Sequence, residues 1–122
     1  MSLRVMIVDD ALFMRNMLKD ICVRAGFEVV AEADNGETAL ELYRVHRPEL
    51  VTMDIVMPKR SGIEALQDIM AEDPGAKVVM VSALGQDSLV LEAVESGARD
   101  FIVKPFKEEK VIDVIRRVTA RS

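Results

Sequence analysis

The sequence predicts one three-layer α/β domain, in which a five-stranded parallel sheet lies between two layers of helices. Two features predict this class: short apolar segments alternate with longer segments of helical periodicity, and the apolar segments are hydrophobic at nearly every position. Strands that are hydrophobic on both faces are typical of a parallel sheet covered by helices on both sides. The 122 residues suit a single domain, which we assign to residues 1–122.

The first unit is a strand at residues 3–8 followed by a helix at residues 12–25. The strand is almost wholly apolar and ends at Asp9 and Asp10. Gly26 supplies the helix stop. The apolar stripe of the helix contains Met14, Met17, Leu18, Ile21 and Ala25.

The second unit is a strand at residues 27–33 and a helix at residues 37–45. Asn35 and Gly36 form the turn between them, because these residues favour tight turns. Pro48 lies just beyond the helix, which must end before it.

The third unit begins with a short strand at residues 50–53, which ends on Asp54. Residues 55–62 carry proline and glycine and are predicted to form a loop. The helix after this loop is stopped at residues 73–75. Its inward stripe contains Ile63, Leu66, Ile69 and Met70.

The last two units follow the same pattern. The fourth strand ends at Ser82, Gly97 stops the fourth helix, and the fifth strand ends at Lys104. The fourth strand is predicted at residues 78–81 and the fourth helix at residues 86–96. The fifth strand is predicted at residues 101–103 and the fifth helix at residues 107–120.

Composition excludes several classes of protein. A net charge of −5 argues against electrostatic binding to nucleic acid. No apolar run approaches the roughly 20 residues that span a bilayer, so we expect no membrane insertion. The N-terminus lacks the apolar core of a signal peptide, and Cys22 has no cysteine partner for a disulfide. These features predict a cytoplasmic protein.

The polar residues that end four of the strands are predicted to meet at one edge of the sheet. In a flavodoxin-like sheet of order 2-1-3-4-5, strands 1 and 3 are neighbours, and the functional crevice lies beyond their carboxyl ends. Three carboxylates, Asp9, Asp10 and Asp54, would then crowd together and repel one another. Mg²⁺ would neutralise these carboxylates. A site with Mg²⁺, Lys104 and Ser82 around Asp54 would suit phosphoryl transfer, in which Asp54 would be the nucleophile.

These residues and their strand contexts resemble the receiver domain of two-component response regulators, in the single-domain form of chemotaxis regulators. The resemblance covers essentially the whole chain. It is carried by five motifs in register: Asp9-Asp10, residues 53–58, Ser82-Ala83, Phe101 and Lys104-Pro105.

The resemblance implies a role for each matching residue. Asp54 would accept a phosphoryl group from a sensor histidine kinase. Asp10, Asp54 and the backbone carbonyl of Val56 would bind Mg²⁺ directly, and Asp9 would bind it largely through water. Lys104 would pair with a phosphoryl oxygen, beside a cis peptide bond to Pro105.

The resemblance also implies a switch and an output surface. Ser82 would turn its hydroxyl toward the phosphoryl group, and Phe101 would move into the space that Ser82 leaves. A downstream target protein would bind the face formed by helix 4, strand 5 and helix 5, and we expect a monomer. Helix 4 supports this, because its apolar residues cover more than one buried stripe and should leave an exposed patch, in which we expect Leu89 to contact the partner. These apolar residues are Leu89, Val90, Leu91, Ala93 and Val94.

Three positions depart from well-known members. Phe101 lacks the hydroxyl of the tyrosine often found there. Val56 and Leu84 are apolar where polar side chains can position hydrolytic water, so the phosphoryl lifetime should differ from that of members with polar residues.

Other interpretations stay open. The chain could be a receiver cut from a longer regulator with a DNA-binding or enzymatic output. It could be a small Mg²⁺-dependent phosphatase, although such phosphatases have a second aspartate two residues after the nucleophile, and Val56 occupies that position here. A flavin-binding electron carrier is disfavoured, because the two acids after strand 1 would repel the phosphate group of the flavin cofactor. Asp9 and Asp10 could also merely cap the first helix.

Overall fold

The computed structural model describes residues 2–120 and contains five strands and five helices in strict alternation. The strands are parallel and follow the order β2-β1-β3-β4-β5, as predicted. In chain order the elements are β1 (Arg4–Val8), α1 (Leu12–Arg24), β2 (Glu28–Ala33), α2 (Gly36–His46), β3 (Leu50–Asp54), α3 (Gly62–Glu72), β4 (Val78–Ala83), α4 (Asp87–Glu95), β5 (Asp100–Lys104) and α5 (Glu108–Thr119).

The sheet has a separate hydrophobic core on each face, because successive strand residues point to opposite sides. Met6 and Val8 of β1 face the core under α2, α3 and α4. Val5 and Ile7 face the core under α1 and α5. This arrangement confirms the predicted three layers.

Cys22 is buried in the core under α1 and α5. Burial raises the pKa of its thiol to about 11, so the thiol stays protonated and unreactive. Among residues 2–120, none of the helices has the length and apolar composition that a membrane span requires.

Three strand ends differ from the prediction. β3, β4 and β5 continue through Asp54, Ala83 and Lys104. The sequence predicts that these strands end one or two residues earlier, where the side chains become polar or small. Main-chain pairing does not depend on these side chains: Asp54 pairs with Val81 in the ladder, and Ala83 pairs with Lys104. Asp54, Ser82 and Lys104 are therefore held by the sheet itself, whereas Asp9 and Asp10 directly follow β1.

Candidate functional site

The predicted carboxylate cluster forms at the carboxyl ends of β1 and β3. One carboxylate oxygen each from Asp9, Asp10 and Asp54 lie within 4.8 Å of one another. Asp9 is 1% exposed and Asp54 is 8% exposed, whereas Asp10 faces solvent. The cluster is thus buried on the side of Asp9 and Asp54 and open to solvent on the side of Asp10.

Lys104, at the end of β5, reaches across to two members of this cluster. Its Nζ lies 3.4 Å from Asp9 Oδ2 and 3.4 Å from Asp54 Oδ1. The lysine side chain is 23% exposed, so its charge is only partly screened by solvent. Among residues 2–120, Lys104 is the only cation that forms an ion pair with these carboxylates, and it pairs with two of the three, so the cluster keeps an excess of negative charge.

The pKa of Asp54 reflects its burial first and this excess of charge second. Burial, and then the charge of Asp9, raise the pKa from 3.8 to about 6, and Lys104 opposes the rise. A divalent cation would remove the repulsion, and carboxylate oxygens are the ligands that Mg²⁺ prefers. The donor set, its spacing and its uncompensated charge all fit Mg²⁺.

Asp9 and Asp10 do not cap α1. Asp9 Oδ1 accepts a hydrogen bond from the backbone N–H of Ala11, at 2.9 Å, in the turn before the helix. Ala11 itself is the N-cap residue, and no side chain caps it. The capping interpretation of these two acids is therefore wrong.

Asp9 is also held through its main chain. Its N–H donates to the carbonyl of Ala33 on β2 at 3.0 Å. Its carbonyl accepts a hydrogen bond from Nη1 of Arg15 on α1 at 2.8 Å. No local pattern in the sequence indicates a role for Arg15, because the contact depends on how α1 packs on the sheet.

The loop from Ile55 to Ser61, which contains Val56, is fixed by two close backbone approaches. The N–H of Gly62 donates to the carbonyl of Ile55 at 2.7 Å, and a Cβ on Gly62 would lie 1.9 Å from the carbonyl oxygen of Asp54. The N–H of Gly36 on α2 donates to the carbonyl of Arg60 at 3.2 Å. Only glycine permits α3 to begin this close to the backbone of Asp54.

Side chains secure the same loop. Ser61 and Glu64 form a reciprocal capping box at the start of α3. Arg60 makes two hydrogen bonds to Asp68, at 2.8 and 3.0 Å. The sequence predicted the loop and its breakers but not these anchors.

Ser82 and Phe101 lie together beside a cavity of about 240 Å³, which Leu84, Val90 and Val103 also line. Ser82 is 1% exposed, and its Oγ has no hydrogen-bond partner within the described residues. A buried hydroxyl without a partner is rare. Phe101 is 39% exposed, and the peptide bond between Lys104 and Pro105 is cis, as predicted.

The exposed apolar patch expected on α4 is present. Leu91 is 61% exposed and Val94 is 47% exposed, whereas Leu89 and Val90 pack against the core. Val90 of the same helix lines the cavity beside Phe101 of β5, which is also partly exposed. Leu91 and Val94, rather than Leu89, are thus the residues available to a partner.

Comparison with known proteins decides the family. Residues 5–116 match the model of the response regulator receiver domain. The chain belongs to the response regulator receiver domain family. Among its relatives, the chemotaxis protein CheY of Bacillus subtilis is 55% identical over 96% of this chain and 98% of that protein. The chemotaxis protein CheY of Thermotoga maritima is 52% identical over 98% of this chain and 99% of that protein.

Solved structures of receiver domains share the fold. CheY of Borrelia burgdorferi, in a complex with CheX, BeF₃ and Mg²⁺, superposes with a TM-score of 0.91 at 41% identity and covers 95% of this chain and 88% of that chain. The response regulator domain of Thermotoga maritima CheB gives a TM-score of 0.90 at 36% identity, over 100% of this chain and 99% of that chain.

Proposed function

We propose that this receiver domain is a phosphorylation-activated switch of a two-component system, of the kind used in chemotaxis. The observation that carries the proposal is the cluster of Asp9, Asp10 and Asp54 at the ends of β1 and β3, with Lys104 reaching two of them from β5. Family membership and the similarity to CheY proteins support it.

Asp54 is the proposed phosphoacceptor. Its carboxylate attacks the phosphorus of a phosphohistidine on a sensor histidine kinase, so that a P–O bond forms while the P–N bond breaks and the imidazole leaves with the bonding electrons. Its pKa of about 6 leaves it mostly ionised, and therefore nucleophilic, near neutral pH. Its position inside the strand gives the attacking oxygen a fixed direction.

Asp10, Asp54 and the backbone carbonyl of Val56 would hold Mg²⁺, with Asp9 acting largely through water. When bound, Mg²⁺ supplies positive charge that stabilises the phosphoryl oxygens during transfer. Lys104 leaves its two carboxylate partners to pair with one of these oxygens. The Ser82 hydroxyl, which has no partner within the described residues, bonds another.

The rotation of the Ser82 hydroxyl toward the phosphoryl group also transmits the signal. When its hydroxyl turns toward the phosphoryl group, Phe101 enters the cavity that both residues line. This changes the surface that α4, β5 and α5 form, and a downstream target protein binds there. The domain acts as a monomer in the cytoplasm. One relative, CheY of Borrelia burgdorferi, was solved in a complex with CheX.

The proposal is tested by intact-mass measurement after incubation with acetyl phosphate or phosphoramidate, with Mg²⁺ or with a chelator. We expect one phosphoryl adduct on the wild type with Mg²⁺ and none with chelator. Asp54→Asn should form no adduct, whereas the control Asp87→Asn, at the exposed start of α4, should react like the wild type. An adduct that survives Asp54→Asn would contradict the assignment.

A further inference from the structure

Asp10 is the member of the acidic cluster with the least support. Within the described part of the chain, neither a hydrogen bond nor an ion pair holds its carboxylate, and the residue is exposed. By contrast, Asp9 is bonded by Ala11 and Lys104. The direction of the Asp10 side chain therefore depends on the backbone that carries it.

That backbone is held on both sides of Asp9. The Asp9 N–H donates to Ala33, which continues the β1–β2 ladder by one residue. The Asp9 carbonyl, which belongs to the peptide group leading into Asp10, accepts the hydrogen bond from Arg15 at 2.8 Å. Arg15 thus fixes the plane of the Asp9–Asp10 peptide group.

Arg15 is itself held in place. Its Nε lies 3.6 Å from Glu32 Oε1, and its side chain is only 16% exposed. Glu32 is next to Ala33 on β2, so one strand holds both the Asp9 N–H and the arginine that bonds the Asp9 carbonyl. Lys19 pairs with the other oxygen of Glu32 at 3.2 Å and is 47% exposed. Among the described residues it forms neither a hydrogen bond nor an ion pair with Asp9.

We infer that Arg15 is a positioning residue for the metal site: it orients the Asp9–Asp10 peptide group and so aims the Asp10 carboxylate at the cation. This inference rests on the proposed Mg²⁺ site. Residues that orient metal ligands commonly change metal affinity by about tenfold or more when they are removed.

Charge and position predict opposite results for Arg15. A guanidinium close to the cluster repels Mg²⁺, so its removal would tighten Mg²⁺ binding if charge alone mattered. If Arg15 positions the loop, its removal weakens Mg²⁺ binding despite the lost repulsion. The sign of the change therefore separates the two roles.

The test is calorimetric titration of the phosphate-free protein with Mg²⁺ alone, alongside urea unfolding of each variant. For Arg15→Met we expect the Mg²⁺ Kd to rise about tenfold. The matched control Lys19→Met removes a charge from the same Glu32, and its Kd should stay within about twofold of the wild type because that charge is exposed and screened. A role in stability alone would lower the urea midpoint without changing the Kd.

Arg15→Lys separates charge from geometry. Lysine keeps the charge and most of the stem, but its single nitrogen cannot bond Asp9 and Glu32 as the guanidinium fork does. We expect its Kd to rise as well, and this variant decides the result if Arg15→Met does not fold. An unchanged or lower Kd in the folded Arg15 variants would overturn the inference, whereas a wild type that binds no Mg²⁺ would instead refute the proposed metal site.

Discussion

At the scale of single residues, the charge on Asp54 links the site to the stability of the fold. Burial, with the charge of Asp9, raises its pKa from 3.8 to about 6. The folded protein therefore holds this proton more tightly than the unfolded chain does, and this group lowers the free energy of unfolding as the pH rises from 3.8 to about 6. Above that interval its destabilising effect is complete, and below it the effect is absent.

Asp54→Asn should thus stabilise the metal-free domain near neutral pH. We expect the free energy of unfolding to rise by about 1–3 kcal/mol at neutral pH, because the neutral amide avoids the cost of a buried charge. The gain should shrink as the pH falls through 6 and should be small near 4. Urea unfolding with a chelator present, as a function of pH, measures it. A gain that is the same at every pH would show that the charge of Asp54 is not its cause.

Val56 and Leu84 follow Asp54 and Ser82 by two residues and expose apolar side chains. Their exposed fractions are 56% and 78%. Neither side chain can hydrogen-bond a water molecule that attacks the phosphoryl group.

Val56→Asn should therefore shorten the lifetime of the phosphorylated domain several-fold, because one hydrogen bond to the attacking water contributes about 1 kcal/mol. The decay of the adduct, followed by intact mass after removal of the donor, gives the rate. Val23→Asn, at a position with a similar exposed fraction of 57%, is the control and should leave the rate unchanged. Equal rates for the wild type and Val56→Asn would contradict this role.

At the scale of elements, the sequence was sufficient to predict every strand and helix, because apolar runs and helical stripes mark them directly. The ends were less accurate at the site, since polar side chains such as Asp54 and Lys104 lie inside strands whose main chains continue to pair. The contact between Gly36 and Arg60 joins α2 to the loop before α3, and no local pattern predicts it.

Gly62→Ala tests how closely α3 approaches the phosphoacceptor strand. The new Cβ would lie 1.9 Å from the carbonyl oxygen of Asp54, so the backbone must move. We expect a loss of about 2–4 kcal/mol in the free energy of unfolding, together with weaker Mg²⁺ binding. At Gly75 the nearest atom to an added Cβ is 3.6 Å away, so Gly75→Ala should be close to neutral. Similar stabilities of the two variants in urea would contradict the close approach.

At the scale of the whole molecule, the fold joins an acidic site at the ends of β1, β3 and β5 to an apolar surface on α4. The sequence predicted the residues of the acidic site and the presence of an apolar patch on α4, because polar residues at strand ends and surplus apolar residues on a helix are visible in it. It could not predict Arg15, nor that Leu91 rather than Leu89 is exposed, because both depend on how a helix is rotated against the sheet.

Leu91→Asp should weaken binding of the downstream target without unfolding the domain, since the side chain is 61% exposed. A charge in the centre of an apolar contact typically reduces affinity by about tenfold or more. Complementation of a Bacillus subtilis strain that lacks its 55% identical CheY provides the assay, with chemotactic spreading as the readout.

Val45→Asp, on α2 at 74% exposed, is the matched control for that substitution. It should leave spreading and stability unchanged. Full activity of Leu91→Asp, in cells where the wild-type chain complements, would show that the α4 patch does not bind the target.

The most direct test of the account is to locate the phosphoryl group on the chain. After reaction with a small phosphodonor and Mg²⁺, borohydride reduces an aspartyl phosphate to homoserine, and peptide mass spectrometry then identifies the position. We predict homoserine at position 54 alone. Homoserine at position 9 or 10, or a phosphoryl group that resists reduction on another side chain, would contradict Asp54 as the phosphoacceptor.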